Sequence, residues 1–279
     1  MNKTIITADS NCYFPPELFS DEIPVIQAEI KTDFGSFRES FEIVSENIIE
    51  YAERMGKAPD LVCPSVEDYR KFFLKHLKNA RSICHLCCGT NIRDSYYNAK
   101  KAADSLNNVY VADSKQIGGG MLFQVMQAAR LANEGFSPEF IIKSIDELDG
   151  HINSTYAASD TSWSRSLGKI PHDLSIALDF FGIAPTVTVR RGGIISGSVF
   201  KNGDEYYKRY IRKILKNKKN IDSSMLIISC PNPYSSKISQ YKEEIAKYVK
   251  FERIAVTDIS AKFICRLGEE SLGLHFLTT

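Results

Sequence analysis

Two features of the sequence predict an α/β fold in two lobes. Over the first half, short apolar or β-branched runs alternate with segments whose apolar residues recur at helical spacing, and this alternation is typical of βαβ units around a parallel sheet. In the second half, two β-type runs flank the pair Gly192-Gly193, which predicts an antiparallel hairpin. We therefore expect an N-terminal parallel-sheet domain at residues 1–155 and a C-terminal α/β domain at residues 156–279 with a mixed or antiparallel sheet.

Turn residues divide the first half into strands and helices. The predicted strands are Thr4–Thr7, Ile23–Ile30, Ser82–Cys88 and Asn108–Ala112. Helices are predicted after Pro15-Pro16, before Gly56, after Pro64-Ser65, and over Arg93–Leu106 and Met121–Asn133, because proline suits a first helical turn and glycine commonly ends a helix. The run Gly118–Gly120 lacks the spacing of a dinucleotide fingerprint and indicates close packing of a helix on a strand.

The second half continues with strands predicted inside Pro185–Phe200 and at Met225–Ser229 and Ile254–Asp258. Between them, Tyr206–Lys219 places tyrosines and aliphatic residues on one helical stripe, with lysines and arginines around it. Two interpretations of this basic helix remain open. It is either a solvated amphipathic helix or a basic face that docks an acidic partner or a membrane surface.

The composition is that of an ordinary globular protein, with 43% hydrophobic and 25% charged residues. A formal net charge of +1 gives no field that would gather nucleic acid, and no nucleic-acid motif is present. No apolar stretch approaches the ~20 residues that span a bilayer. The N-terminus has no signal-peptide apolar core, and the seven cysteines have no disulfide-framework spacing, so the sequence predicts a cytoplasmic protein with reduced thiols.

Motifs that would identify an enzyme are missing, since there is no P-loop, no HExxH and no GxSxG. Cys84 and Cys87 form a CxxC, but they lie in an apolar β-type run, so packing thiols are the favoured interpretation. The five histidines share no ligand spacing. We therefore predict no catalytic residue, no metal and no cofactor.

Small polar groups follow three of the predicted parallel strands, at Asp9-Ser10, Gly89-Thr90 and Asp113-Ser114. Ligands of such sheets bind at the carboxyl ends of the strands, so these groups predict a binding cleft. The alternative is that they are ordinary turn residues and helix caps.

A series of short segments runs in order from residue 6 to residue 273. It comprises Ile6–Ser10, Ile23–Val25, Cys63–Ser65, Thr90–Ala99, Val111–Ser114 with Gly118–Gly120, Ser159–Thr161 with Leu167–Ile170, Gly182–Pro185, and Gly268–Gly273. In order and spacing, the series resembles the motifs of the DegV-like fatty-acid-binding proteins, from their TDS start and TSQPS loop to their G-P-G-A-L-G element.

The resemblance implies two α/β lobes with an apolar tunnel between them that holds a long-chain fatty acid. It implies a carrier with no catalytic or nucleotide site of its own, similar to the carrier subunit of bacterial fatty acid kinase. Such a carrier presents the fatty acid to a partner kinase for acyl-phosphate formation. The missing P-loop agrees with that role.

The resemblance places the ligand's carboxylate at positions where this sequence departs from the family. A threonine of the family falls on Leu61, a serine on Arg93, an arginine on Lys169 and a histidine on Arg266, whereas Thr90 keeps a hydroxyl. Because an arginine fork binds a carboxylate bidentately, Arg93 and Arg266 are predicted to replace the lost hydroxyls. The alternative is that Arg93 faces solvent and that the carboxylate site has decayed.

Asp9, Ser10 and Ser114 are predicted to line the same cleft and complete the set of ligand-binding residues. Two other functions stay open. One is an interaction protein whose tunnel is vestigial, and the other is a small-molecule enzyme that uses Asp9 and Asp113 as acid and base.

Overall fold

A computed structural model describes residues 3–11, 14–158, 162–167, 176–178, 180–201, 203, 205–216, 218–231 and 236–279. Within these residues the chain forms a four-stranded sheet, a six-stranded sheet and a three-stranded sheet, with helices packed against them. The first sheet is parallel and the second is mixed. The predicted fold class is therefore confirmed.

The elements are numbered in chain order. The strands are β1 Thr4–Asp9, β2 Val25–Ile26, β3 Glu29–Thr32, β4 Gly35–Arg38, β5 Asp60–Val62, β6 Ser82–Cys87, β7 Val109–Asp113, β8 Ile152–Ala157, β9 Ile183–Arg190, β10 Gly193–Lys201, β11 Ile221–Ser229, β12 Arg253–Thr257 and β13 Leu272–Thr278. The helices are α1 Ser45–Met55, α2 Val66–Leu77, α3 Ser95–Ala103, α4 Gly119–Asn133, α5 Pro138–Asp149, α6 Ser162–Ser166, α7 Tyr206–Lys216, α8 Lys237–Ala246 and α9 Ala261–Leu267.

The parallel sheet has the strand order β2-β1-β6-β7. Its central strand β6 is buried along its whole length, which explains why its sequence is apolar without alternation. Because all four strands run the same way, the loops that follow β1, β6 and β7 leave the sheet at one edge. Those loops carry the three polar pairs that the sequence singled out.

The predicted strand Ile23–Ile30 is wrong as a single element, because the chain divides it between two sheets. Val25 and Ile26 pair with β1, whereas β3 pairs with β4 and β5 in the three-stranded sheet. Between them, the backbone N–H of Ala28 donates to the Ser10 hydroxyl at 2.8 Å rather than to a neighbouring strand. That side-chain contact ends the pairing with β1 and lets the chain turn away. The helix predicted after Pro15-Pro16 is a single 3-10 turn at Pro16–Leu18.

The mixed sheet has the order β10-β9-β8-β13-β11-β12. The predicted hairpin is confirmed as β9 and β10, which pair antiparallel. Arg191 and Gly192 both have positive φ, as the favoured two-residue hairpin turn requires. Strand β8 pairs only within this sheet among the described residues, so the domain boundary predicted after residue 155 falls inside β8. The division into two domains stays a prediction.

Glycines at the start of α4 allow the close packing that the sequence indicated. A Cβ at Gly119 would come within 2.3 Å of the His275 ring, and one at Gly118 within 2.4 Å of the Tyr156 hydroxyl. Gly118 also has φ +59°, a backbone conformation that is strained for residues with a side chain. Helix α4 therefore lies directly against strands of the mixed sheet.

One apolar cluster draws on both halves of the chain. Its buried members include Ile30 and Ile48 from the first half and Val189 and Ile264 from the second. Leu61 and Trp163 pack against it. The two sheets thus share part of their hydrophobic core.

A polar link also joins the two halves. Asp258, just after β12, accepts hydrogen bonds from the backbone N–H of Ser45 at 3.0 Å and from the Ser45 hydroxyl. Ser45 is the first residue of α1, where backbone N–H groups lack partners in the helix. Asp258 therefore caps α1 from a distant part of the chain.

Candidate ligand site at the strand ends

The carboxyl ends of β1, β6 and β7 meet in a set of buried, mutually hydrogen-bonded side chains. The backbone N–H of Cys88, just after β6, donates to Asp9 Oδ2 at 3.1 Å. The hydroxyl of Thr90, in the same loop, donates to Asp113 Oδ2 at 2.9 Å. The carboxylates at the ends of β1 and β7 thus both accept from the loop that follows the strand between them, β6.

Asp9 is the most heavily bonded of these carboxylates. Its Oδ1 accepts from the Tyr69 hydroxyl at 2.5 Å and lies 3.1 Å from His85 Nε2, and its Oδ2 accepts from the Ser95 hydroxyl at 2.6 Å. Burial by itself raises the pKa of Asp9, but the hydrogen bonds and charge of its partners, His85 foremost, lower it below its ordinary value. Asp9 is therefore an ionised acceptor that holds β1, α2, β6 and α3 together.

The side chains of Asp9, His85 and Cys87 bring their ligand-type atoms within 4.8 Å of one another. A metal there would have to replace the hydrogen bonds that Asp9 receives from Tyr69 and Ser95. Burial raises the pKa of the Cys87 thiol, and the charge of Asp9 raises it further, so this sulfur is a poor thiolate ligand. Packing and hydrogen bonding account for the group without an ion.

Arg93 is buried, with its guanidinium paired to Glu39. Its Nη1 donates to Glu39 Oε2 at 2.7 Å and its Nη2 to Glu39 Oε1 at 2.6 Å, while Nη1 also donates to the Ser10 carbonyl at 2.8 Å. Burial lowers the pKa of Arg93, but the charge and hydrogen bonds of Glu39, together with the nearby Cys88 and Cys63 thiols, raise it above its ordinary value. The guanidinium is thus charged, and its fork is filled by a carboxylate of the same chain.

Ser10 belongs to the same group. Its hydroxyl donates to Glu39 Oε2 at 2.9 Å while accepting from the Ala28 backbone. Ser114 is also buried, but its hydroxyl donates to the Gln116 carbonyl at 3.0 Å and accepts from the Gln116 N–H at 3.1 Å. Ser114 therefore shapes its own turn, whereas Ser10 faces the ion pair.

The other predicted residues lie in different surroundings. Leu61 is on β5, opposite Ile30, and packs against the shared apolar cluster. Arg266 is exposed in the last turn of α9. Lys169 lies outside the described residues. The structure therefore brings together Asp9, Ser10, Thr90, Arg93 and Ser114 at the strand ends.

A cavity of about 810 Å³ borders this group. Ser10 and Glu39 form part of its lining, together with apolar side chains that include Phe14, Phe19 and Ile26. The volume is in the range of small-molecule sites, which combine apolar walls with a few polar groups. The cavity thus lies beside the Arg93–Glu39 pair, with Glu39 in its wall.

Sequence reasoning missed Glu39, Tyr69 and His85. Glu39 and Tyr69 come from segments that are distant in the chain from β1 and α3 and carry no motif. His85 sits in a strand that is buried along its whole length, so its burial follows from the apolar run, but its partner Asp9 does not. A buried arginine needs a counter-charge, and that requirement is the one signal that could have prompted a search for Glu39.

Buried polar groups at the ends of parallel strands, beside a cavity with both apolar and polar walls, are an arrangement typical of small-molecule sites in α/β folds. The sequence pattern described as "Uncharacterised protein, DegV family" matches residues 3–279. The chain belongs to the DegV family, as its motif series suggested. No helix among the described residues is long and apolar enough to cross a membrane.

Curated relatives and solved structures agree with this assignment. A DegV domain-containing protein of Caldanaerobacter subterraneus is 26% identical over 197 residues, which are 69% of each chain. Another, of Halalkalibacterium halodurans, is 21% identical over 281 residues and 99% of each chain.

Among solved structures, a fatty-acid-binding DegV family protein from Thermus thermophilus superposes with a TM-score of 0.83 at 17% identity, covering 99% of this chain and 100% of the other. The fatty acid kinase B3 protein of Streptococcus pneumoniae, loaded with linoleic acid, gives 0.82 at 15% identity and the same coverage. A stearic-acid-binding protein from Eubacterium ventriosum gives 0.80 at 19% identity, covering 100% and 98%. At these identities the likeness shows a common fold.

Proposed function

We propose that this chain binds one long-chain fatty acid between its two lobes and presents it to a partner kinase, which forms the acyl phosphate. The observation that carries the proposal is the correspondence of fold, over nearly the whole length of each chain, with structures described as binding fatty acids. The ligand is the fatty acid alone, and no further cofactor is needed.

In this proposal the acyl chain lies along the apolar cluster to which both lobes contribute. This cluster includes residues of the first half, Ile30, Ile48 and Leu61, and residues of the second half, Val189 and Ile264. The position of Leu61 supports a contact with the acyl chain rather than with the carboxylate, because its side chain belongs to this apolar surface. The carboxylate would lie toward the strand ends, near Thr90 and Arg93, with Lys169 and Arg266 as further proposed cations.

The carrier role, without catalysis, is supported by how the strand-end carboxylates are used. Asp9 accepts from Tyr69 and Ser95, and Asp113 accepts from the Thr90 hydroxyl and the Lys115 N–H. Carboxylates that are fully engaged in holding strands together are poor candidates for an acid and base pair. The partner kinase is proposed by analogy with the role of the Streptococcus pneumoniae kinase subunit, and the complex would form in the cytoplasm.

A displacement titration tests the proposal. Oleate added to the protein with a bound fluorescent fatty acid should displace the probe at one site per chain. Saturated acids of twelve to sixteen carbons should gain roughly tenfold in affinity for every two methylenes, because each buried methylene contributes about 0.8 kcal/mol. Affinity that does not change with chain length, or a protein that never binds the probe, would contradict an acyl-chain site.

A further inference from the structure

The Arg93 guanidinium already holds a carboxylate. Both of its terminal nitrogens donate to Glu39, at 2.6 and 2.7 Å, and the side chains of both residues are only 2% exposed. Two parallel hydrogen bonds of this kind are the strongest arrangement that an arginine makes with a carboxylate. A ligand carboxylate cannot take the same two nitrogens while Glu39 remains there.

The other donors near this pair are also committed to carboxylates of the chain. The Ser10 hydroxyl donates to Glu39, and the Thr90 hydroxyl donates to Asp113. Arg93 Nε is buried and has no hydrogen-bond partner among the described residues, so one nitrogen of the guanidinium is unpaired. A ligand carboxylate would therefore meet two engaged hydroxyls and a neutralised cation.

Glu39 nevertheless lies at the wall of an open space. Glu39 and Ser10 are among the residues that line the cavity of about 810 Å³, although their side chains are buried, whereas Arg93 is not part of the lining. Glu39 follows β4 on the three-stranded sheet, and the next residue, Ser40, has φ +58°. The carboxylate thus comes from a short segment at the cavity wall and stands between the open space and the guanidinium.

We propose that Glu39 is an internal competitor for the ligand's carboxylate and is the residue that sets how tightly this chain holds a fatty acid. A fatty acid must displace Glu39 from Arg93, or bind without the guanidinium, whereas an uncharged acyl ligand of the same length has no such competition. The inference rests on the proposed function, because it requires an acyl chain to bind.

The test compares oleate with oleamide, which has the same acyl chain and an uncharged head. Glu39→Gln keeps the shape of the side chain and removes the competing charge. We expect oleate affinity to rise by about tenfold or more, the equivalent of one charge-assisted hydrogen bond, while oleamide affinity changes by less than about threefold. Glu42→Gln is the matched control, because it removes a carboxylate from the exposed Arg38 ion pair in the same segment. It should leave both affinities as they are.

Glu39→Gln leaves a buried guanidinium without its counter-charge, which can prevent folding. A second variant that keeps the charge therefore makes the test independent of that outcome. Glu39→Asp keeps the charge but is one methylene too short for both hydrogen bonds, and it should raise oleate affinity by a few fold without changing that of oleamide. Equal oleate affinity in wild type and in every folded Glu39 variant would overturn the inference and leave the proposed function standing. Failure of both oleate and oleamide to bind any variant would instead overturn the proposed function.

Discussion

At the scale of single residues, burial decides what the polar groups do. From the sequence, the Arg93 guanidinium is expected to bind the ligand's carboxylate. The structure makes it half of a buried ion pair that joins the loop after β6 to Ser10 and Glu39. Removing one partner of such a pair typically costs about 3–5 kcal/mol, so Arg93 now has a structural role as well.

His275 illustrates the same rule in the mixed sheet. It is fully buried between Ser154, whose hydroxyl lies 2.9 Å from Nδ1, and Ser229, whose hydroxyl lies 3.0 Å from Nε2. Burial lowers the pKa of His275 to about 3. The ring is therefore neutral in the folded protein, where one nitrogen donates and the other accepts.

This burial makes stability depend on pH. Below about pH 6.5 the unfolded chain protonates this histidine, whereas the folded chain does not until about pH 3. The contribution of His275 to the free energy of unfolding is therefore largest above pH 6.5 and decreases as the pH falls toward 3. Urea unfolding at pH 7 and pH 5 should show wild type losing about 2 kcal/mol more than His275→Gln. Equal losses in the two proteins would show that the ring is charged or exposed when folded.

The sequence predicted part of the site because parallel strands end at one edge. Asp9, Thr90 and Ser114 could be placed together on that argument alone. Glu39 could not, because it reaches the cluster from a separate three-stranded sheet whose position depends on tertiary packing. Local sequence patterns therefore could not predict that Glu39 is the partner of Arg93.

At the scale of elements, local signals worked where the turn chemistry was explicit. The hairpin β9–β10 follows from Gly192-Gly193. Helix α2 begins directly after Pro64-Ser65, as predicted, and the Ser65 hydroxyl accepts from the Asp68 N–H. The prediction of one strand at Ile23–Ile30 is wrong because an apolar pattern does not indicate with which sheet a segment pairs. A single side-chain contact, Ser10 to Ala28, divides it.

Helix α7 has the amphipathic pattern that the sequence predicted. Tyr210, Ile211 and Leu215 are buried, whereas Arg212 and Lys213 are exposed. Tyr210 is anchored through its hydroxyl, which donates to the Thr155 carbonyl at 3.0 Å. The buried stripe fixes the helix on the mixed sheet and leaves its basic face toward solvent.

If the basic face of α7 docks the proposed kinase, its charge should govern that complex. Arg212→Glu with Lys213→Glu should weaken the kinase complex about tenfold at low salt and flatten its salt dependence, because exposed charges act through screened long-range attraction. The matched control is Lys100→Glu with Lys101→Glu, which reverses two exposed lysines in the last turn of α3. If both pairs of substitutions weaken the complex equally, the effect is due to net charge, and α7 is a solvated amphipathic helix without a docking role.

At the scale of the whole molecule, the two halves of the chain are held together by apolar and polar contacts. The shared cluster joins Ile48 of α1 to Ile264 of α9, and Asp258 caps α1 through Ser45. A ligand bound along this cluster would contact both halves at once. Both halves of the chain thus contribute to one buried apolar cluster.

The proposed natural ligand of this fold is a long-chain fatty acid. The most direct measurement is to purify the protein from bacterial cells under native conditions, denature it, extract it with solvent and identify the released molecules by mass spectrometry. We expect long-chain fatty acids of about sixteen to eighteen carbons, near one molecule per chain, and none above background from an unrelated protein of similar size purified in parallel. Release of water-soluble metabolites alone would contradict it.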